Sequence, residues 1–265
     1  VTDPRLTRFF DNGFKKRLIA DELQIGLWLN SASPLVAELV SYTGFGWVLI
    51  DAEHAPNDLA ETVAQLQVFI GSPTSVIVRP PWNDMVMIKR LLDAGVQNFL
   101  IPFVQTAEEA KAAVASVRYP PRGVRGVSVG SRSSAFGMVP DYWKKIDDHI
   151  GVTVQIEHQT GYGNLADICA VDGIDGVFVG PQDLAASFGH IVDVQHADVQ
   201  RLIADVPAVV RRFGKAAGIL ASNPEEGQRY VDMGYSFVGV GSDLGLLKGA
   251  ATKAAHAITG RSTKG

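Results

Sequence analysis

The stretch WVLIDAEHAPND, Trp47 to Asp58, decides the fold. It opens on four apolar residues without alternation. A strand with one wet face alternates apolar and polar side chains, whereas an unbroken run marks a strand covered on both faces, as in a parallel sheet. The run then gives way to Asp51, Glu53 and His54, and Pro56-Asn57-Asp58 opens a helical pattern. A buried strand thus delivers a polar cluster and turns directly into a helix.

The same unit recurs along the chain. Strand-like runs lie at 24–30, 47–53, 75–81, 98–104, 153–158, 176–184, 216–221 and 237–243. Amphipathic segments separate them at 33–43, 57–70, 83–94, 106–118, 163–171, 196–213 and 224–233, with a last one at 243–258. Ser33-Pro34, Asn83-Asp84 and Ser222-Asn223-Pro224-Glu225 read as helix starts, and Gly44, Gly95, Gly173 and Gly234 as helix stops. Eight alternating units predict an α/β fold, a (β/α)8 barrel, with residues 1–265 forming a single domain. The rival doubly wound sheet lacks its GxGxxG signature after the first strand. Residues 3–16, within the N-terminal stretch 1–20, predict a helix before the barrel. Residues 119–150 break the period as a long Gly-, Ser- and Arg-rich loop, and 260–265 form a tail. Within the loop, GVRGVSV reads as a short extra strand and PDYWKKIDDH as a short helix.

Composition narrows the function. A formal net charge of −4, with both signs interspersed, argues against a nucleic-acid partner and a polybasic membrane surface. No window approaches the roughly 18 apolar residues of a membrane span, and no targeting segment is visible, so a cytoplasmic protein is expected. The single cysteine, Cys169, permits neither an intramolecular disulfide nor a cysteine metal cluster.

Barrels of this kind place their sites at the C-terminal ends of the strands, and the polar residues gather there. Strand 2 ends in Asp51, Glu53 and His54, and strand 3 in Arg79. Strand 5 carries Gln155 and Glu157 on one face, and strand 6 leads into Asp183. Two close carboxylates repel unless a proton or cation lies between them. A divalent ion between Glu157 and Asp183 answers this, and oxygen-only ligation suits Mg²⁺, Mn²⁺ or Co²⁺. The alternative is a helix cap for one and an arginine pair for the other. Arg79, closing an apolar strand, needs an anion. That anion is a substrate carboxylate or developing oxyanion, or else a structural partner such as Asp51 or Glu157. His54 is the acid/base candidate, with Asp51 orienting it or a metal-bound water. Glu53 points away from its neighbours and reads as structural. His158 lies on the opposite strand face, and His149, His190, His196 and His256 read as surface residues. No lysine falls in a strand or at its C-terminal end, which excludes a Schiff-base mechanism.

The motifs IGLWL, LIDAEHAPND, VRPPWND, LLDAG, IPFVQTAEEA, RYPPRGVRGV, VQIE and DGVFVGPQDLAASFG stand in this order. Over roughly 15–255 the chain resembles the HpcH/HpaI family of class II pyruvate aldolases, which includes 4-hydroxy-2-oxoheptanedioate and 2-keto-3-deoxy sugar acid aldolases. The resemblance implies a (β/α)8 barrel of the phosphoenolpyruvate/pyruvate type. It implies a homo-hexamer, a trimer of dimers with an exchanged C-terminal helix. It also implies cleavage and synthesis of 4-hydroxy-2-oxoacids from a pyruvate or hydroxypyruvate donor and an aldehyde. Carried over by residue, it makes Glu157 and Asp183 the metal ligands, Arg79 the enolate stabiliser and His54 the acid/base. Trp28, Gln155, Gly180, Pro181, Gln182 and Leu220 would contact substrate. Asp93, in LLDAG, matches the aspartate that raises the histidine's basicity. It lies at the far end of the helix after strand 3, so it would reach a rim histidine only across a subunit interface.

The chain departs from the pattern at Gln182, where a small residue is usual, and at Ala185, where serine is usual. HQTGYGN after QIE and SVGSRSSAFGM at 128–138 also differ. These departures bear on the acceptor side of the pocket. Two other functions share much of the pattern: a different metal–enolate carboxylate lyase, and a non-catalytic oxoacid-binding protein. VGVGSD after strand 8 is a candidate phosphate cradle, although such a turn also serves simply to join strand and helix.

Overall fold

In the computed structural model, which describes residues 4–259, eight parallel strands close into a barrel in sequence order. They are β1 Gln24–Leu29, β2 Trp47–Asp51, β3 Ser75–Arg79, β4 Asn98–Ile101, β5 Gly151–Ile156, β6 Gly176–Val179, β7 Ala216–Ala221 and β8 Phe237–Ser242. β1 pairs with both β2 and β8, which closes the ring. The expected helix starts hold. Ser33 Oγ accepts from Val36 N, Asp58 Oδ1 from Ala60 N, Asp84 Oδ1 from Val86 N and Asn223 Oδ1 from Glu226 N.

The unbroken apolar runs are used on both faces, as their pattern requires. Outward residues such as Val48, Ile50 and Val78 pack beneath the helices. Inward residues Trp28, Trp47, Leu49, Ile77, Phe178 and Phe237 fill the barrel. Gly26 makes room for this filling, since a methyl there would collide with the Trp47 indole. Phe14 and Leu18, from the helix Gly13–Ile19, plug the N-terminal mouth, with Phe14 5.7 Å from Phe237 and 6.5 Å from Trp47. One end is therefore sealed by hydrocarbon and the polar end is left open.

Several expectations are corrected. The N-terminal stretch is not one helix. A 3₁₀ segment, Pro4–Phe10, is separated from Gly13–Ile19 by Asn12, whose Oδ1 caps Lys15 N at 3.0 Å. Residues 1–3 and the tail at 260–265 lie outside the described residues. GVRGVSV forms no strand. Val124 and Arg125 donate instead to the carbonyls of Ala115 and Arg118, folding the segment onto the preceding helix. Arg125 is buried there against Tyr119, 4.4 Å from its ring centroid. PDYWKKIDDH does give a short helix, Tyr142–Lys145, followed by a 3₁₀ turn, Ile146–His149. Several strands end earlier than the apolar pattern suggested. β3 stops at Arg79 because Pro80 and Pro81 cannot donate to a ladder, and β6 stops at Val179 because Gly180-Pro181 begins the helix Pro181–Ser187.

The last helix, Asp243–Thr259, is fixed at its start. Asp243 accepts from Asn30 N at 2.9 Å and from Ser31 Oγ at 2.6 Å. Beyond that it leaves Leu246, Leu247 and Ile258 exposed. Cys169 is buried, and burial pushes its thiol up to about 12, as suits inert packing. Among the described residues no helix is long and apolar enough to cross a membrane.

Candidate active site

The open end of the barrel holds a cavity of about 680 Å³. Trp28, His54, Arg79, Gln155 and Leu220 line it, together with the whole Gly180–Asp183 turn. Glu157 and Asp51 sit just behind this lining. Asp93 does not belong to it. It ends the helix Met85–Asp93, with its Oδ1 3.8 Å from Arg125 Nη2, and within one chain it has no part in the site.

Asp51 and Arg79 are partners in the β2–β3 register. Their side chains form a buried fork, with Nε to Oδ1 at 2.9 Å and Nη2 to Oδ2 at 2.7 Å. Asp51 Oδ1 also accepts from the backbone N–H groups of Glu53 and His54. Asp51 therefore orients Arg79 and the turn, the arginine pairing being one of the partners the sequence offered. The remaining nitrogen, Nη1, faces the cavity side. It lies 3.3 Å from Gln155 Oε1 and 2.8 Å from Glu53 Oε2.

Glu53 was read as a structural residue pointing away, and the structure brings it into the site. β2 ends at Asp51, so the two-residue alternation does not reach position 53, and the turn swings the carboxylate inward. It touches Arg79 on one side and lies 3.8 Å from His54 Nε2 on the other. Burial first, and then the charges of Asp51 and Asp183, push its carboxyl above the ordinary value, against the pull of Arg79 and His54. Its Oε2 accepts no aligned hydrogen bond.

Glu157 follows directly on β5. Gln155 donates from Nε2 to Glu157 Oε2 and accepts from Arg79, so one amide links the guanidinium to the carboxylate. Phe103 N–H donates to Glu157 Oε1 at 2.8 Å. Phe103 achieves this in the left-handed region, φ 54°, an uncommon conformation for an aromatic residue. No sequence signal marked it. Burial, reinforced by Glu53 and Asp183, pushes the Glu157 carboxyl up to about 8. Gly180 completes the arrangement, because a methyl there would strike both the Glu157 carboxylate and the Gln155 amide. Asp183 stands in the first turn of the Pro181–Ser187 helix rather than on a strand.

This donor set fits a divalent cation. Four carboxylates, Asp51, Glu53, Glu157 and Asp183, act on one another across the rim, and one guanidinium is shared among them. The Glu157 carboxyl is displaced in the direction that an uncompensated carboxylate cluster demands, and Glu53 Oε2 keeps unused acceptor capacity. All the donors are oxygens, as hard ions prefer.

The wall opposite is polar. Asn30, Gln195, Ser222 and Ser242 line it, and Asn30 Oδ1 is buried without a hydrogen-bond partner. The residues Val192–Gln195, part of a loop beyond the Pro181–Ser187 helix, close one side. Their place at the site was not legible in the sequence.

A closed (β/α)8 barrel whose open end holds a cavity ringed by carboxylates and a buried arginine has the architecture of a barrel enzyme's active site. Residues 24–250 match the family model described as HpcH/HpaI aldolase/citrate lyase. The chain is 49% identical to a 5-keto-4-deoxy-D-glucarate aldolase of Klebsiella pneumoniae, covering 94% of this chain and 97% of that one. It is 50% identical to the protein of that name in Enterobacter sp. strain 638, with the same coverage. Among solved structures, an HpcH/HpaI aldolase/citrate lyase family protein from Burkholderia cenocepacia superimposes with a TM-score of 0.92 at 37% identity, covering 94% of this chain and 100% of that one. The chain belongs to the HpcH/HpaI aldolase/citrate lyase family. It is a carbon–carbon lyase.

Proposed function

We propose that the protein is a class II aldolase that cleaves and forms 4-hydroxy-2-oxoacids of the sugar-acid type, with 5-keto-4-deoxy-D-glucarate as the first substrate to examine. The observation that carries this reading is the Glu157 carboxyl, buried beside Asp183 and Glu53 and linked through Gln155 to Arg79. Such a cluster calls for a divalent ion, and Arg79 offers a donor beside it. The names of the relatives supply the substrate class. The polar wall with its unpartnered Asn30 Oδ1 suits a hydroxylated acceptor.

Glu157 and Asp183 would hold Mg²⁺, Mn²⁺ or Co²⁺, which supplies Lewis-acid polarisation of the 2-oxo group. Arg79, its other nitrogens occupied by Asp51, presents Nη1 to the C2 oxygen as negative charge develops there. In cleavage His54 accepts the proton of the C4 hydroxyl. The C3–C4 bond breaks, its electron pair moves toward C3 and the C2 oxygen, and the aldehyde departs. A proton then returns to C3 to give pyruvate. Glu53 Oε2 lies 3.8 Å from the imidazole Nε2, beside the ring that takes up this proton.

Pyruvate release from 5-keto-4-deoxy-D-glucarate, by protein stripped of metal and then reconstituted with Mn²⁺, tests the reading. Turnover should appear only on reconstitution and vanish in Glu157→Ala. Metal-independent turnover, or none on any 4-hydroxy-2-oxoacid, would overturn it and leave another lyase or a silent oxoacid binder. His54→Ala should slow cleavage by roughly 10²–10⁴-fold, while methyl-proton exchange of pyruvate is partly kept. Equal loss of both would place the histidine on the enolate instead. The family assignment also supports a homo-hexamer with the C-terminal helix exchanged. Leu246, Leu247 and Ile258 are the apolar face such an exchange would cover. Light scattering should return six times the chain mass.

A further inference from the structure

The loop that walls the cavity through Val192–Gln195 is bracketed by two histidines. His190 follows the Pro181–Ser187 helix, and His196 opens the helix Ala197–Arg211. Read from sequence as surface residues, they are half-buried and stacked, with ring centroids 3.6 Å apart and planes 17° from parallel. Asp198 Oδ2 lies 3.7 Å from His196 Nδ1. One ligand atom from each of His190, His196 and Asp198 falls within 4.8 Å of the others. The loop between the histidines is held in an unusual shape. Val192, a β-branched residue, has φ 62°, and Gln195 is tied to Glu226 at 2.9 Å and to Arg229 at 3.2 Å. No step of the aldol chemistry uses this cluster.

We propose that His190, His196 and Asp198 form a second metal site, selective for Zn²⁺-like ions, that clasps the two ends of the cavity-walling loop. Two imidazoles and a carboxylate are the donor set of zinc rather than of magnesium, whereas the rim offers oxygens alone. Tetrahedral coordination, with Zn–N of about 2.0–2.1 Å, sets two nitrogens roughly 3.3 Å apart. The ligand atoms already lie within 4.8 Å of one another, and the stacked rings must splay apart for their in-plane lone pairs to converge on one ion. Two weak contacts compete. Asp198 Oδ1 bonds exposed Arg201 at 2.9 Å, and His196 Nδ1 accepts from Asp198 N at 3.3 Å. The first leaves Oδ2 free to bind. The second leaves Nε2 of His196 free, or yields when Nδ1 binds. The chelate closes only a short loop, so its ordering cost is small.

The site is tested apart from the catalytic rim by titrating Zn²⁺ into the full-length Glu157→Gln variant with Mg²⁺ in excess. One Zn²⁺ per chain should bind. Adding His190→Ala and His196→Ala should weaken that binding by about tenfold or more, with an unchanged circular dichroism spectrum. Asp198→Asn, nearly isosteric, should weaken it less and guards against loop collapse as the cause. In the wild-type enzyme with Mg²⁺, added Zn²⁺ should change KM for the aldehyde, and this change should be lost in the double histidine variant. Zinc affinity independent of both histidines, or no stoichiometric binding to the Glu157→Gln variant, would overturn the proposal.

Discussion

Arg79 spends Nε and Nη2 on Asp51, and its cavity-side Nη1 meets Gln155 Oε1 and Glu53 Oε2. A buried guanidinium fixed in this way costs no reorganisation when charge develops beside it. The same burial makes the pair unforgiving. Asp51→Ala leaves Arg79 with Glu53 as its remaining anionic contact. Removing one member of a buried ion pair typically costs about 3–5 kcal/mol, and urea denaturation should show a loss near the lower end. An unchanged midpoint would mean that Glu53 fully replaces Asp51. Position 51 was identified from the sequence because it ends a strand. Glu53 was misread because alternation was carried past that end. Phe103 was invisible, since nothing in IPFVQ announces a left-handed phenylalanine aimed at a carboxylate.

At the scale of elements, the site depends on where strands stop. β6 ends at Val179, and the next two residues are Gly180 and Pro181. The glycine lets the turn pass against Glu157, and the proline starts the helix that carries Asp183. Gly180→Ala should therefore leave the barrel folded, because its methyl points into the open end. It should weaken Mn²⁺ binding by about tenfold or more, through displacement of Glu157, the proposed ligand. Calorimetric titration measures this, and wild-type affinity in the variant would refute the crowding argument. The Gly-Pro signal was legible in the sequence. The strand expected over 176–184 nevertheless ran across Gly180-Pro181, and so placed Asp183 at a strand end rather than in the first turn of a helix.

Across the whole molecule, the acidic rim links metal binding to pH and stability. Burial and neighbouring charge hold the Glu157 carboxyl at about 8, against an ordinary 4.5. Between these values the folded, metal-free chain keeps a proton that the unfolded chain has released. Its stability from this group is therefore full below pH 4.5 and falls as pH rises toward about 8. A cation held by Glu157, as proposed, would displace that proton, and its binding would strengthen over the same window. The rise in Tm on adding Mn²⁺ should thus be larger at about pH 8 than at about pH 6. Thermal scans at fixed free metal check it, and a gain independent of pH would mean that Glu157 is not a ligand.

The sequence by itself determined the barrel and the end at which the chemistry gathers. Both are written in local periodicity, as unbroken apolar runs of strand length, caps at the helix starts and polar residues crowded at the strand exits. Motif and strand position likewise singled out Glu157, Asp183, Arg79 and His54 as candidates. Tertiary structure alone decided how those residues share their charges. Asp51 holds Arg79, Glu53 turns inward to face His54, and the loop bracketed by His190 and His196 forms a cavity wall. These outcomes depend on turn geometry and on distances between residues far apart in the chain. Side-chain patterning encodes which face is buried, but not where a turn sends the next carboxylate.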